Sequence, residues 1–419
     1  MCNFSNRHAL RKTPIDGTIQ IIIRLGMMSM KSSEITNPRP CPVYKKCGGC
    51  QLQNMSYPEQ LKYKQNKVNR FLKPFGKPLP IIGMNDPYHY RNKVQAAFYT
   101  NRQGRIISGV YQSGSHHVVG IDSCQLEDRT ADKIITAVRK LMPSFKMTTY
   151  NEDSGKGFLR HVLVKRGFAT GQIMLVLVTA KPMFPSKNNF VKAIRKQFPE
   201  ITTIVQNINP YATNLVLGDR ENVLYGRGYI EDELCSCRFR ISPKSFYQIN
   251  PVQTEVLYGK AIEYADFKGN ESVLDAYCGI GTIGIVAAKH GAGSVTGVEL
   301  NGDAVRDAIQ NARANGLKNI RFYKGDAGDF MRAVADEDEH IDVVMMDPPR
   351  AGSSKVFLDS LIKLNPKRVV YVSCNPETQA RDLRYLCGHS KYKVQKIQPV
   401  DMFPHTNHVE SVVMMSRKD

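Results

Sequence analysis

The chain has 419 residues, of which 42% are hydrophobic, and this length suits two or three domains, each with its own core. Its 58 lysines and arginines outnumber 38 acidic residues, which gives a net charge of +20. Such an excess favours a polyanionic partner, nucleic acid before a basic membrane-surface role. A membrane-spanning protein is excluded at this stage, because no uninterrupted apolar stretch approaches the ~20 residues that a span requires.

The first 36 residues are predicted to be a disordered tail. Residues 18–30 are apolar and follow three basic residues, as in an export signal, but Arg24 interrupts them and no small-residue cleavage site follows. We therefore expect a cytoplasmic protein, in which the ten cysteines stay reduced and form no disulfide framework.

A cysteine-rich segment and a helix are predicted over residues 37–82. Cys41, Cys47 and Cys50 lie close together around two glycines, and Cys124 lies well downstream. Three close thiols and a distant one can hold tetrahedral zinc or a [4Fe–4S] cluster, and the spacing alone does not choose between them.

Apolar spacing predicts a helix over residues 58–75, with Leu61, Val68 and Leu72 near one face. Residues 83–240 are predicted to form a central β-rich domain. Cys235 and Cys237 fall within a strand pattern there, and core packing is favoured over metal binding for this pair. The candidate strands of this domain are residues 94–99, 106–111, 161–165 and 173–179.

Residues 241–419 alternate between strand and helix patterns, which predicts an α/β fold with a doubly wound parallel sheet. Asn250 and Pro251 mark the start of the first helix as its N-cap and first helical position. Two final strands joined by a loop predict a hairpin with one antiparallel strand. The segments are strands 272–277, 294–300, 320–323, 341–346, 368–373, 391–400 and 409–416, and helices 282–289 and 302–314.

A glycine-rich turn after the first of these strands predicts a cofactor site. Its G-x-G-x-x-G begins at Gly279 and suits a dinucleotide, but Asp275 just before it would repel a pyrophosphate and attract a cation. S-adenosylmethionine carries such cations, so we favour it over NAD. Glu299 ends the next strand, where an acid accepts bonds from ribose hydroxyls, and Asp326 ends the third, where it could receive the adenine amino group.

A cysteine, Cys374, follows the strand at 368–373, and Asp347 follows its neighbour. A thiolate nucleophile needs an electropositive site, for which Arg350 is the candidate source. Such a thiolate could add to C6 of uracil, so that C5 accepts a methyl group and a base removes the C5 proton. Glu410 is the candidate base, and His405 and His408 compete with it for this role.

These motifs, together with Gln248 in Ser-Phe-Tyr-Gln-Ile-Asn, resemble those of the TrmA/RumA family of RNA uracil-C5 methyltransferases over residues 41–419. The resemblance implies an S-adenosylmethionine-dependent enzyme with a Rossmann-like domain, in which Cys374 is the nucleophile and Glu410 the base. It also implies a set of donor-binding residues, Gln248, Tyr277, Glu299, Asp326 and Asp347.

Resemblance to the iron–sulfur RumA/RlmD type implies that Cys41, Cys47, Cys50 and Cys124 hold a [4Fe–4S] cluster. It favours 23S rRNA over tRNA as substrate and a monomer without membrane association. The residues before Cys41 lack the strand pattern of the RumA N-terminal RNA-binding barrel, the TRAM domain, so we expect it to be absent.

Aromatic and basic residues alternate before two central strands, around Tyr90 and Phe158, which suits unpaired RNA bases. Two other functions stay open at this point. An iron–sulfur NAD oxidoreductase would use the glycine turn and the cysteines but leave Cys374 and Glu410 without a role. A catalytically silent RNA-binding module would leave both without a role as well.

Overall fold

Two seven-stranded sheets carry the part of the chain from Cys41 onward in the computed structural model, which describes residues 40–337 and 339–417. The tail predicted over residues 1–36 lies outside these residues. The described chain begins with a short helix, α1 (Tyr44–Cys47), and a long helix, α2 (Tyr57–Leu72), that continues as a 3-10 turn over Lys73–Phe75.

Helix α2 starts with a capping box, in which Ser56 and Glu59 satisfy each other's backbone groups. Val68 and Leu72 are fully buried on its inner face, as the apolar spacing predicted.

The first sheet has the order β3-β2-β1-β4-β5-β6-β7 and is antiparallel except for the β5–β6 pair. All four strands predicted here are confirmed. Two amphipathic helices cover one face of the sheet and bury a separate apolar core. The elements are β1 (Lys93–Thr100), β2 (Ile106–Tyr111), β3 (Val118–Gly120), α3 (Arg129–Leu141), β4 (Leu159–Arg166), β5 (Ile173–Thr179), α4 (Lys187–Gln197), β6 (Ile201–Ile208) and β7 (Arg220–Tyr225).

A hairpin of β8 (Ile230–Leu234) and β9 (Cys237–Ile241) links the two sheets along the chain. The strand predicted through Cys235 and Cys237 is wrong. Cys235 and Ser236 both have positive φ and form the two-residue turn between paired Leu234 and Cys237. Cys237 is fully buried, as expected for core packing.

The second sheet has the order β12-β11-β10-β13-β14-β16-β15, with β16 antiparallel to both neighbours and the other described pairs parallel. The predicted doubly wound sheet with a closing hairpin is therefore confirmed. Its elements are α5 (Pro251–Ala265), β10 (Ser272–Ala276), α6 (Thr282–Lys289), β11 (Ser294–Glu299), α7 (Gly302–Ala314), β12 (Ile320–Lys324), α8 (Ala327–Asp336), β13 (Val343–Met346), α9 (Lys355–Leu364), β14 (Arg368–Ser373), α10 (Pro376–His389), β15 (Tyr392–Val400) and β16 (Glu410–Arg417).

Successive residues of the central strands point into two different cores, because side chains alternate across a sheet. Val343 and Met345 join α5, α6 and α7 on one face, whereas Val344 and Met346 join α2, α8, α9 and α10 on the other. Helix α2 thus becomes part of the second sheet's outer layer.

A buried ion pair fixes α2 to the loop between β15 and β16. Lys64 Nζ lies 2.6 Å from Asp401 Oδ1, and both side chains are fully buried. The ammonium also donates to the carbonyl of Phe403, and the Tyr57 hydroxyl donates to the other Asp401 oxygen. The loop that leads into Glu410 is therefore held by a helix more than 300 residues earlier in the chain.

Replacing Lys64 by Met should lower the free energy of unfolding by about 3–5 kcal/mol, because the Asp401 carboxylate then stays buried without its cation. Urea unfolding followed by circular dichroism measures this loss. Lys62→Met, on the exposed face of the same helix, is the control. Equal stability of the two variants would contradict the structural importance of this ion pair.

Candidate active site

The predicted nucleophile and base lie on adjacent paired strands. Ser373, the last residue of β14, pairs with Ser411 of β16, so Cys374 leaves one strand where Glu410 begins the other. Glu410 is only 3% exposed, and Cys374 is half-buried. The antiparallel final strand therefore brings together two residues that are 36 positions apart.

The electrostatic surroundings of Cys374 differ from the sequence-based expectation. Arg350 donates a hydrogen bond to the thiol and lowers its pKa, as predicted. However, burial first, then Glu410 and Asp347, raise the pKa by more, so the net shift is upward. Without ligands the thiol is therefore protonated at neutral pH.

Three carboxyl groups with raised pKa values lie along this edge of the sheet, of which Asp275 and Glu410 are buried and Asp347 is half-buried. Burial raises the pKa of Asp275 to about 8 and that of Asp347 to about 7. The pKa of Glu410 is also raised, by burial and by Asp347, although Arg350 opposes this. One oxygen of Asp275 and one of Glu410 have no hydrogen-bond partner among the described residues. A cation brought among these groups would favour their ionised forms.

The two competing bases are less suitable than Glu410. Burial lowers the pKa of both His405 and His408 to about 4. The His405 ring is also held by Gln60 of α2, whose amide lies 3.1 Å from Nδ1. His405 therefore has a structural role in anchoring the loop.

The glycine turn between β10 and α6 is tightly packed around Asp275. The Gly284 amide donates to Asp275 Oδ2 at 2.7 Å, and a Cβ on Gly284 would lie at the same distance from that oxygen. Gly281 has a φ of +81°, and a Cβ there would lie 2.7 Å from the Phe322 ring. Asp275 is 1% exposed, and it supports the turn through its hydrogen bond with the Gly284 amide.

The predicted donor residues follow the strand ends of the second sheet or lead into it. Tyr277, at a φ of +64°, follows β10, and its hydroxyl lies 3.5 Å from Ser353 Oγ. Glu299 ends β11 and accepts hydrogen bonds from the amides of Gly279 and Asn301. The glutamate is thereby oriented towards the glycine turn.

Asp326, Asp347 and Gln248 complete this set. Asp326 is exposed and caps α8 through one oxygen, yet its charge still contributes to the raised pKa of Tyr277 after burial. Asp347 follows β13, and Gln248 is buried just before α5. The carboxyl ends of β10 to β14 thus meet at one edge of the sheet, as expected of a ligand crevice.

Tyr258 of α5 was not predicted from the sequence. It is buried, and its hydroxyl lies 3.1 Å from Thr282 Oγ1. After burial, the charges of Asp347, Glu410 and Asp275 raise its pKa. The only signal in the sequence is its spacing of eight residues from the helix cap Asn250, which places it on the inner face of the helix.

Comparison with known proteins identifies the family. The model of the tRNA (uracil-5-)-methyltransferase family matches residues 56–418. An RNA methyltransferase of Halalkalibacterium halodurans is 45% identical over 385 residues, which is 91% of this chain and 83% of that protein. One of Bacillus cereus is 44% identical over 90% of this chain and 82% of its own length. The chain belongs to the tRNA (uracil-5-)-methyltransferase family.

A solved structure supports this assignment. The Pyrococcus abyssi tRNA (uracil-54, C5)-methyltransferase, crystallised with S-adenosyl-L-homocysteine, superposes with a TM-score of 0.75 at 30% identity. The match covers 88% of this chain and 85% of that one. The predicted enzyme class, an S-adenosylmethionine-dependent RNA (uracil-C5-)-methyltransferase, is confirmed. No helix among the described residues of this methyltransferase is long and apolar enough to cross a membrane.

The four cysteines of this methyltransferase that the sequence predicts as cluster ligands do not form a metal site among the described residues. No group of three or more His, Cys, Asp or Glu side chains in the described part of the chain is arranged to hold a metal ion. The thiols nevertheless share one neighbourhood, since Arg91 interacts electrostatically with both Cys50 and Cys124. Backbone amides also face sulfur, from Gly49 to Cys47 and from Leu126 to Cys124. The [4Fe–4S] cluster at these four cysteines stays a prediction.

Asp275→Asn should make stability less dependent on pH. A buried carboxyl with a raised pKa binds a proton in the folded state that it loses in the unfolded state, so it costs stability as the pH rises from about 4 to 8. Removing one such group should make this decline shallower by up to about 1.4 kcal/mol per pH unit. Urea unfolding at several pH values, with exposed Asp329→Asn as the control, measures the slope. Parallel slopes for wild type and Asp275→Asn would show that Asp275 is ionised in the folded enzyme.

Proposed function

We propose that this enzyme methylates C5 of uridine in RNA through a covalent adduct between Cys374 and C6 of the base. The observation that carries the proposal is the position of Cys374 and Glu410 on neighbouring strands at the edge where the glycine turn and Asp347 also lie. This arrangement supports the proposal because a nucleophile and a proton acceptor on neighbouring strands could both reach one substrate ring. Methyl transfer to uracil uses both Cys374 and Glu410, whereas a nicotinamide-dependent reaction would use neither.

Cys374 and Glu410 act in successive steps of the proposed reaction, and the atoms and electrons balance in every step. The Cys374 thiolate adds to C6, and the electrons of the C5–C6 bond move towards C5 and the O4 carbonyl. S-adenosylmethionine supplies the methyl group as a cationic, electrophilic sulfonium. Once C5 carries the methyl group, Glu410 accepts the C5 proton, the double bond re-forms and the Cys374 sulfur leaves.

Charge explains how a protonated thiol becomes a nucleophile. Arg350 already contacts the sulfur and stabilises its thiolate. The positive donor favours ionisation of Asp347, Glu410 and Cys374 in the occupied site. Glu410 is then available as a base only when the methyl donor is present, which limits unproductive addition of the thiol.

The donor itself is proposed to lie along the carboxyl ends of β10 to β13. Glu299 would accept the ribose hydroxyls, and Asp326 would receive the adenine amino group through the oxygen that does not cap α8. Gln248 and Tyr277 would hold the amino-acid end, and Asp347 would face the donor or the target base. The S-adenosyl-L-homocysteine named for the Pyrococcus abyssi structure supports this class of ligand.

We also propose that Cys41, Cys47, Cys50 and Cys124 hold a [4Fe–4S] cluster. The support is the resemblance of their spacing to the iron–sulfur members of the family and the amide–sulfur contacts described above. When bound, such a cluster would cross-link the N-terminal segment to the loop before α3. No redox step of methyl transfer requires it, so its proposed role is structural or in RNA docking.

The proposed RNA is 23S rRNA, on the basis of the same resemblance to cluster-bearing members. A tRNA substrate is the second candidate, because the family model and the Pyrococcus abyssi enzyme are both named for tRNA. Mass-spectrometric mapping of 5-methyluridine in rRNA and tRNA from cells with and without the gene distinguishes the two. Loss of the modification from only one of the two RNAs identifies the substrate.

Cys374→Ala should abolish the covalent adduct with 5-fluorouridine RNA, in which the fluorine at C5 cannot be removed as a proton. Glu410→Gln should still form an adduct with ordinary RNA and accumulate it, because the C5 proton stays in place. Denaturing gel electrophoresis with labelled RNA measures both. Cys387→Ala, which removes a half-buried thiol near the other end of α10, is the control. An unchanged adduct in Cys374→Ala would identify a different nucleophile.

Cys47→Ser should remove the iron and sulfide, and with them the brown charge-transfer absorbance, from protein purified without oxygen. Cys235→Ser changes a thiol in the hairpin turn and should keep the full iron content. Elemental analysis measures both proteins. Stoichiometric zinc without iron in the wild type would contradict the cluster.

A further inference from the structure

A cleft of about 490 Å³ separates α2 from α10, on the face of the second sheet that these helices cover. Its described lining includes Arg70 and Phe71 from α2 and Arg381 and Arg384 from α10. Glu377 at one end contributes a carboxylate. The cleft therefore combines a net positive charge with an aromatic ring.

Two of these arginines are free to meet a ligand. Arg381 is paired with the buried carboxylate of Asp382 at 2.7 Å. Arg70 and Arg384 are both exposed and form no ion pair with any described residue. The Arg70 guanidinium lies 5.4 Å from the centre of the Phe71 ring, so charge and aromatic surface are presented side by side.

The cleft begins beside the proposed active site. Thr378, in its lining, donates a hydrogen bond to the Arg350 carbonyl at 3.0 Å. On α2, one turn before Arg70, Lys67 donates to the carbonyl of Asn407 in the loop before Glu410. From Glu377 to Arg384 the helix rises by about 10 Å, whereas a stacked nucleic-acid strand rises by about 3.4 Å per nucleotide. The α10 wall of the cleft is therefore about as long as three stacked nucleotides.

We propose that this cleft binds the RNA strand next to the target uridine, with Arg70 and Arg384 on backbone phosphates and Phe71 available to a base. A positively charged groove with an aromatic residue is the usual arrangement for single-stranded RNA. The direction of the strand, away from Cys374, rests on the proposed function. Binding of RNA in the cleft itself does not.

The test is the affinity of the double variant Arg70→Glu/Arg384→Glu for fluorescein-labelled oligouridine RNA of about 12 nucleotides, by anisotropy at several salt concentrations. We expect the dissociation constant to rise at least about tenfold. The slope of log affinity against log salt should fall by about 1.4, because two phosphate contacts are lost. The neutral variant Arg70→Gln/Arg384→Gln should show the same change in slope with a smaller loss of affinity. Arg313→Glu, on α7 on the other face of the sheet, is the control for a charge reversal away from the cleft and should leave the slope unchanged.

Wild-type affinity and salt slope in both double variants would overturn the proposal, and so would an equal loss in Arg313→Glu. A separate measurement tests the proposed function. At saturating 5-fluorouridine RNA, the double variants should still form the Cys374 adduct, because neither arginine touches the reacting groups. If the wild type forms no adduct, the proposed chemistry fails, while the binding data still decide whether RNA occupies the cleft.

Discussion

Burial of carboxyl groups at the edge of the second sheet dominates the electrostatics of the site, because removal from water disfavours their charged forms. Burial raises the pKa of Asp275, Asp347 and Glu410. The charge of Asp347 raises the pKa of the other two further, and Arg350 opposes the shift at Glu410 and at the Cys374 thiol. Such a site disfavours the ionised forms of its carboxyl groups, and a bound cation would favour them. In the proposed mechanism, the same burial accounts for the preference for a sulfonium over a pyrophosphate, for the protonated thiol of the free protein and for a proton acceptor that becomes available with the donor.

The geometry of this site depends on segments far away in the chain. The loop before Glu410 is fixed by the Lys64–Asp401 ion pair, and the segment with the cysteines contacts it directly. The Leu52 amide donates to the His405 carbonyl, and the Asn407 amide donates to Gln51. A metal centre at Cys47 and Cys50 would therefore hold the loop before the proposed base, Glu410, more rigidly. The cysteine segment would then have a structural role that involves no electron transfer.

The C-terminal half was predictable because local signals and tertiary contacts agree there. Asn250 and Pro251 fix a helix start, and β-branched runs between glycines fix the strands. Helices α3 and α4 were not predicted from the sequence. Each has only a short apolar stripe beside a polar face and lies between β-rich segments. The turn at Cys235 was missed because two non-glycine residues adopt positive φ. The electrostatic interaction of Tyr258 with three acids depends on side-chain positions that no spacing encodes. The domain limits at 82 and 240 stay predictions.

The place of β16 in the sheet has a consequence for how the molecule matures. This strand inserts between β14 and β15, although the ribosome makes both of them first. In a growing chain, β14, which leads into Cys374, therefore has an unpaired edge until β16 is made. Such an edge is prone to mispairing. The Cys374 sulfur and the Glu410 carboxyl become neighbours only when β16 docks. Under the proposed mechanism, a chain whose β16 has not yet docked would therefore lack the base beside its nucleophile, so completion of the sheet would also complete the active site.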